Sequence, residues 1–200
     1  MRTSTAIKAL LAAGALALPL ASFADSQVTT GTGTITAVAH VNFQIVIPQF
    51  LSLQIGSPSA VDLLTFSPTA AQLIANSAVA GAGGTPGPGA ETVTVVGNGG
   101  NVTLSVATLG QLSDGAAGDK ISFATISTAT SNTSLPAPAL CDGPTACAGT
   151  TTVTATGKAV NQTATWTYTY TNPSGTIPAA GTYGGSAANN ETATYTASMP

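Results

Sequence analysis

The sequence predicts an all-β fold, an antiparallel β-sandwich, and three observations carry that prediction. Thr and Val dominate the runs between Gly and Pro clusters, and both side chains fit a pleated, half-buried surface better than a helix. Several of these runs alternate apolar and polar residues, which marks a strand with one buried face because side chains point to opposite sides with period two. Only "TAAQLIANSAVA" has the make-up of a helical turn or two, with Leu73 and Ile74 inward. Roughly nine or ten strands spaced by turn signals indicate two packed sheets, with a closed barrel as the alternative.

Taken in order, residues 1–24 read as a secretory signal. Arg2 and Lys8 give a positive start, Ala9 to Leu18 an apolar core, and Ser22-Phe23-Ala24 small residues where a signal peptidase cuts. The chain is therefore expected to be exported, through the periplasm to the cell surface or beyond. The apolar run is too short to span a bilayer, and no later stretch reaches the roughly 20 apolar residues a membrane helix needs. Residues 25–200 suit a single β-sandwich domain with a real core.

From Ile35 to Ile47 every odd position is apolar, through Ala37, Ala39, Val41, Phe43 and Ile45. This predicts an extended N-terminal strand over about 34–47. At about 3.3 Å per residue it would span roughly 43 Å, whereas strands commonly run about 5–6 residues. Pro48 interrupts, since it donates no ladder hydrogen bond, and "FLSLQIG" resumes the alternation. "AVDLLTF" is a further candidate strand. "GAGGTPGPGA" (81–90) is a loop; no Gly-Lys-Ser/Thr follows, so a phosphate-binding reading is disfavoured. "ETVTVVG" and "NVTLSVATL" flank Gly97-Asn98-Gly99-Gly100, which has the residues of a tight hairpin. "DKISFATIS" is another strand, and 128–150 a surface excursion. "TTVTATG" follows, then "KAVNQTATWTYTYTN", where Ala164, Trp166, Tyr168 and Tyr170 share one face. The chain closes with "ETATYTASMP", with Ala193, Tyr195, Ala197 and Met199 on one face.

Composition excludes several classes of function. Of the chain, 6% is charged and 44% hydrophobic, unlike disordered acidic chains. All seven acidic residues follow position 24 but only Lys120 and Lys158 of the four basic ones do, so nucleic acid and anionic membranes are unexpected partners. Cys141 and Cys147 flank the turn-forming Asp-Gly-Pro-Thr-Ala; in an exported protein a disulfide stapling that loop is the expectation.

Catalysis needs titratable groups converging in a pocket, and the chain is short of them. His40 is the sole histidine, on the polar face of the first strand, with no nucleophile elbow anywhere. Asp114 and Asp119 bracket a Gly/Ala turn without the alternating ligands of a calcium loop. No enzyme activity, cofactor or metal site is expected. Trp166, Tyr168 and Tyr170 admit two readings, a sugar-stacking platform or core packing, and a Trp on the apolar face of a central strand favours core. Tyr183, in a Gly-rich loop, is the better exposed contact.

Two readings of the first strand follow. It bends and serves both sheets of its own sandwich, or it is a donor strand. As a donor, Val41, Phe43, Ile45 and Ile47 would enter the open edge of a neighbouring subunit. That head-to-tail contact does not close and so makes filaments.

The order of features resembles bacterial fimbrial subunits of the chaperone-usher type, above all the spore coat U-like group. Ala180, Gly181, Thr182 and Tyr183 match the turn before that group's last strand, while Gly184 stands where an acidic residue is usual. The resemblance implies a pilin-like, Ig-like sandwich, assembly with like or related subunits, and escort by a periplasmic chaperone. Ala193, Tyr195 and Ala197 would then lie in the terminal strand. The competing function is a monomeric adhesive or carbohydrate-binding sandwich recognising a glycan.

Overall fold

The structure, a computed structural model, describes residues 27–115, 119–143, 147, 149–171 and 177–200. The signal segment expected at 1–24 lies outside them. The described chain forms two units, one ending at Ile47 and one running from Pro48 to Pro200.

In the first unit the expected strand over 34–47 does not form. Residues 27–47 carry no strand and almost all are exposed. Local bonds organise part of the segment: Thr29 Oγ1 donates to the Thr36 carbonyl at 3.0 Å and the Val38 amide to Gln27 Oε1 at 3.2 Å. An isolated strand leaves its main-chain groups to water and buries nothing, so alternation without a partner edge yields an extended chain, not a ladder.

The second unit holds strands β1 (Leu51–Ile55), β2 (Ala78–Ala80), β3 (Ala90–Gly97), β4 (Val102–Thr108), β5 (Leu112–Ser113), β6 (Lys120–Ile121), β7 (Ile126–Thr130), β8 (Thr151–Val153), β9 (Val160–Thr171) and β10 (Ala193–Ser198), with one short helix α1 (Ala70–Ile74). Every pairing is antiparallel. One sheet is built on β9: β3 covers residues 160–167 along one edge, β2 continues that edge at 169–171, β7 takes the other, and β1 adds outside β3. The other sheet is β10-β4-β8. The all-β sandwich expected from the sequence is the fold.

Both sheets contribute inner faces to one core. Val93, Val95, Val160, Ala164, Trp166, Tyr168 and Tyr170 come from the first sheet, and Val102, Leu104, Val106 and Val153 from the second. Trp166 is fully buried and its indole N–H donates to the Leu135 carbonyl at 3.1 Å, so the 128–150 excursion supplies a core residue and a buried acceptor. The core reading of the aromatic stripe is thus the structural one.

Three local expectations are corrected. Gly97 to Gly100 reverses the chain, but β3 and β4 enter opposite sheets and do not pair; Val93 and Val95 of β3 and Val102, Leu104 and Val106 of β4 line their inner rows, and facing those rows across the sandwich buries both. "AVDLLTF" forms no strand, only a bridge between Thr65 and Ala82. "DKISFATIS" splits into β6 and β7 around a 3₁₀ turn at Phe123–Thr125, where Ser122 Oγ accepts from the Ala124 amide and Phe123 turns into the core.

The 81–90 loop folds back tightly. Gly89, at φ 67°, lies so close to Gly81 that a Cβ there would meet backbone at 2.7 Å, and its carbonyl accepts from the Tyr168 amide at 2.8 Å. Glu91 follows, a buried carboxyl whose Oε2 accepts from the Thr85 amide at 3.1 Å and which lies with the Asp62 carboxyl beside Gly56.

Candidate functional site

A strand inside a sheet has two neighbours, and its inner face is sealed by the strands beside it. In this unit the central strands obey that rule: the inward residues of β4 are all buried, as are nearly all of those of β3. Strands β1 and β10 do not. Each pairs on one edge only, β1 with β3 and β10 with β4, and the two lie side by side without pairing to each other. Their inward residues, Leu51, Leu53 and Ile55 on one wall and Ala193, Tyr195, Ala197 and Met199 on the other, touch the core yet are only half-buried. Among the described residues, then, β1 and β10 each leave one edge without a strand partner, and half-buried apolar side chains line the seam where the two meet. Such edges are templates for another strand.

The strand directions fix the geometry of the seam. β1 runs antiparallel to β3 and β10 antiparallel to β4, so the start of β1 meets the end of β10. There Gln49 Nε2 donates to the Pro200 carbonyl at 2.6 Å, and the Gly99 amide donates to Met199 Sδ at 3.1 Å. Tyr195 anchors the β10 wall. Its ring packs on Trp166 with centroids 5.5 Å apart, and its hydroxyl hydrogen-bonds the Tyr168 hydroxyl at 3.1 Å. Burial raises both phenols, Tyr195 to about 12 and Tyr168 well beyond its ordinary value.

The wall at β1 begins with an unusual brace. Asn98, in the β3–β4 connection, binds residues 48–50 three times: its amide donates to the Phe50 carbonyl at 3.3 Å, its Oδ1 accepts from the Phe50 amide at 2.8 Å, and its Nδ2 donates to the Pro48 carbonyl at 2.8 Å. Asn98, by main chain and side chain together, thus continues the β1–β3 pairing past the end of β3 and ties Pro48 and Phe50 to the β3–β4 connection.

The residues expected to act as donor side chains, Val41, Phe43, Ile45 and Ile47, are all exposed, Phe43 at 90% and Val41 at 72%. They belong to the first unit, and no contact gathers them into a core. Ala193, Tyr195 and Ala197 lie in β10, with their half-buried side chains along the seam. Cys141 and Cys147 are joined, with Cα atoms 5.6 Å apart; Cys147 is buried and its amide donates to the Val106 carbonyl at 2.9 Å, so the bridge seats the loop on β4.

Sequence reading identified β1 and β10 as alternating strands but not as two walls of one opening, because that depends on which strands lack a second neighbour. Asn98 and Gln49 were missed as well; an Asn one residue beyond a strand, in a Gly-rich turn, is the available signal. Trp166, Tyr168 and Tyr170 are buried and offer no sugar platform. Tyr183 is half-buried, with its hydroxyl donating to the Ala179 carbonyl at 2.9 Å. A shallow depression on the outer side of β4 and β10 is lined by Ala107, Thr108, Leu109, Thr192 and Thr194, with neither an aromatic nor a charged group to hold a sugar. Among the described residues no cluster of His, Cys, Asp and Glu could hold a metal ion. Comparison with protein-family models, curated proteins and solved structures gives no match.

Proposed function

We propose that this protein is an exported structural subunit of a surface fibre or coat, built by adding the 41–47 segment of one copy to the seam of the next. The observation that carries the reading is a match of pattern. The seam wall on β10 presents half-buried inward residues at 193, 195, 197 and 199. The exposed segment presents apolar side chains at 41, 43, 45 and 47, with the same spacing and the same length of about 20 Å. A strand laid there satisfies two main-chain edges and completes the core with its alternate side chains. Each copy has one segment and one seam, a heterologous contact that propagates without closing. The work is binding and assembly, and none of it calls for a catalytic group or cofactor. Fimbrial subunits of the spore coat U-like kind remain the model for such an assembly, including transient cover of the seam by a chaperone.

Electron microscopy of the purified protein tests this directly. Fibres are expected from the unaltered chain. Phe43→Asp places a charge where an apolar side chain must enter a core, so it is expected to stop assembly while leaving the circular dichroism of the monomer unchanged, since Phe43 touches no core there. A wild-type chain that stays monodisperse and monomeric at high concentration, with no added protein covering the seam, overturns the proposal. In that event a glycan array takes up the adhesive alternative.

A further inference from the structure

Strand addition raises a question of address. The donor residues end at Ile47 and the β1 wall begins at Leu51. A segment tethered so near its own seam acts at an effective concentration of about millimolar, far above that of any neighbouring copy. Unless something prevents it, the chain would fold 41–47 back beside its own β1, fill its own seam, and never polymerise.

The sequence does not prevent it. Ile47-Pro48-Gln49-Phe50 suits a β-turn, with Pro at the second position and closure through a bond from the Phe50 amide to the Ile47 carbonyl. The fold does prevent it. The Phe50 amide is already given to Asn98 Oδ1 and the Pro48 carbonyl to Asn98 Nδ2. Gln49, between them, is held to Pro200. A turn at 47–50 must break the bonds to Asn98, and any longer reversal that brings 41–47 beside β1 must still pass through residues 48–50, which Asn98 and Pro200 hold.

Resting on the strand-addition reading above, we infer that Asn98 is a positioning residue that holds the 48–50 connection and so reserves the seam for the donor segment of a second copy. Self-closure and polymerisation are then alternative fates of one segment, and Asn98 selects between them.

The test compares the full chain with Asn98→Ala, using a labelled peptide of residues 34–47 at about 10 µM. Wild type is expected to form polymers that the peptide shortens and caps, with 41–47 of the free monomer cut readily by protease. Asn98→Ala is expected to be a folded monomer whose 41–47 segment resists protease and whose peptide uptake is lower by roughly 100-fold, the ratio of millimolar tethered segment to added peptide. If the variant polymerises and takes up peptide like wild type, or is monomeric with 41–47 still cut, the selection is not made by Asn98 and the inference falls alone. If wild type neither polymerises nor retains peptide, the strand-addition reading falls with it. Should Asn98→Ala fail to fold, Asn98→Asp keeps the acceptor for Phe50, removes the donor to Pro48, and is judged by the same criteria.

Discussion

Glu91 shows how much a single side chain is asked to do at the edge of this core. Its carboxyl is buried, it accepts from the Thr85 amide, and it meets Asp62, whose own carboxyl accepts from the Ser57 amide at 2.9 Å. Burial raises Glu91 above its ordinary 4.5, with Asp62 adding to the rise, while the bond from Ser57 lowers Asp62. The Glu91 charge in turn adds to the rise at Tyr168. The signs oppose. A raised carboxyl binds its proton more tightly in the folded state, so its contribution is full below 4.5 and is lost as pH rises through the folded value. The Asp62 contribution is present above its unfolded value and is lost only under more acid conditions. Thermal unfolding followed from pH 4.5 to 7 should therefore show wild type losing stability relative to Glu91→Gln, which keeps the shape and cannot ionise. Parallel curves for the two proteins would refute this. Residues of this kind divide by legibility. Trp166 could be read as core because its strand alternates around it; Glu91 and Asn98 could not, because their partners lie about 30 to 50 residues away along the chain or across loops whose path no local pattern encodes.

At the scale of elements, β10 is the wall most exposed to failure. It pairs with β4 alone, and its hold on the opposite sheet runs through Tyr195 on Trp166 and Tyr168. Tyr195→Phe keeps the ring contact but leaves the buried Tyr168 hydroxyl without that partner, a loss of about 1–2 kcal/mol, which lowers the melting temperature by roughly 2–8 °C for a domain of this size. The same pair sets an alkaline limit. Both phenols are raised in the fold, so the folded chain keeps protons that the unfolded chain releases, and stability falls as pH climbs above 10. Calorimetry between pH 9 and 11 should show that fall, reduced in Tyr195→Phe; a flat wild-type profile would show that the pair does not hold β10. The strands themselves were largely legible, since β1, β3, β4, β9 and β10 fall where alternation placed them. Their assignment to sheets was not. Gly97-Asn98-Gly99-Gly100 has hairpin residues, yet the apolar rows of β3 and β4 bury more by facing each other than by lying edge to edge. The 34–47 segment has the plainest alternation near the start of the chain and forms no strand, because pairing needs an edge and period two supplies only one of the two partners.

For the whole molecule, strand addition as proposed would cover two apolar surfaces at once, the half-buried inward side chains of β1 and β10 and the exposed ones of 41–47. Anything that binds the folded state and not the unfolded one adds RT ln(1 + [L]/Kd) to stability, about 2.7 kcal/mol when the ligand stands at 100 times its Kd. On the strand-addition proposal the ligand is another copy, so stability is expected to depend on the concentration of the protein itself. A melting temperature that climbs by about 5–10 °C as the protein is concentrated from well below to well above the assembly threshold is the expected result. Phe43→Asp should show no such climb, melting at every concentration where dilute wild type melts. A self-contained sandwich gives the opposite pattern, with a melting temperature indifferent to concentration in both proteins. The disulfide between Cys141 and Cys147 acts on folding alone, worth roughly 2 kcal/mol for so short a loop, so reducing it should lower both curves together and leave the concentration dependence intact. Separating those two responses distinguishes what holds one subunit together from what one subunit lends the next.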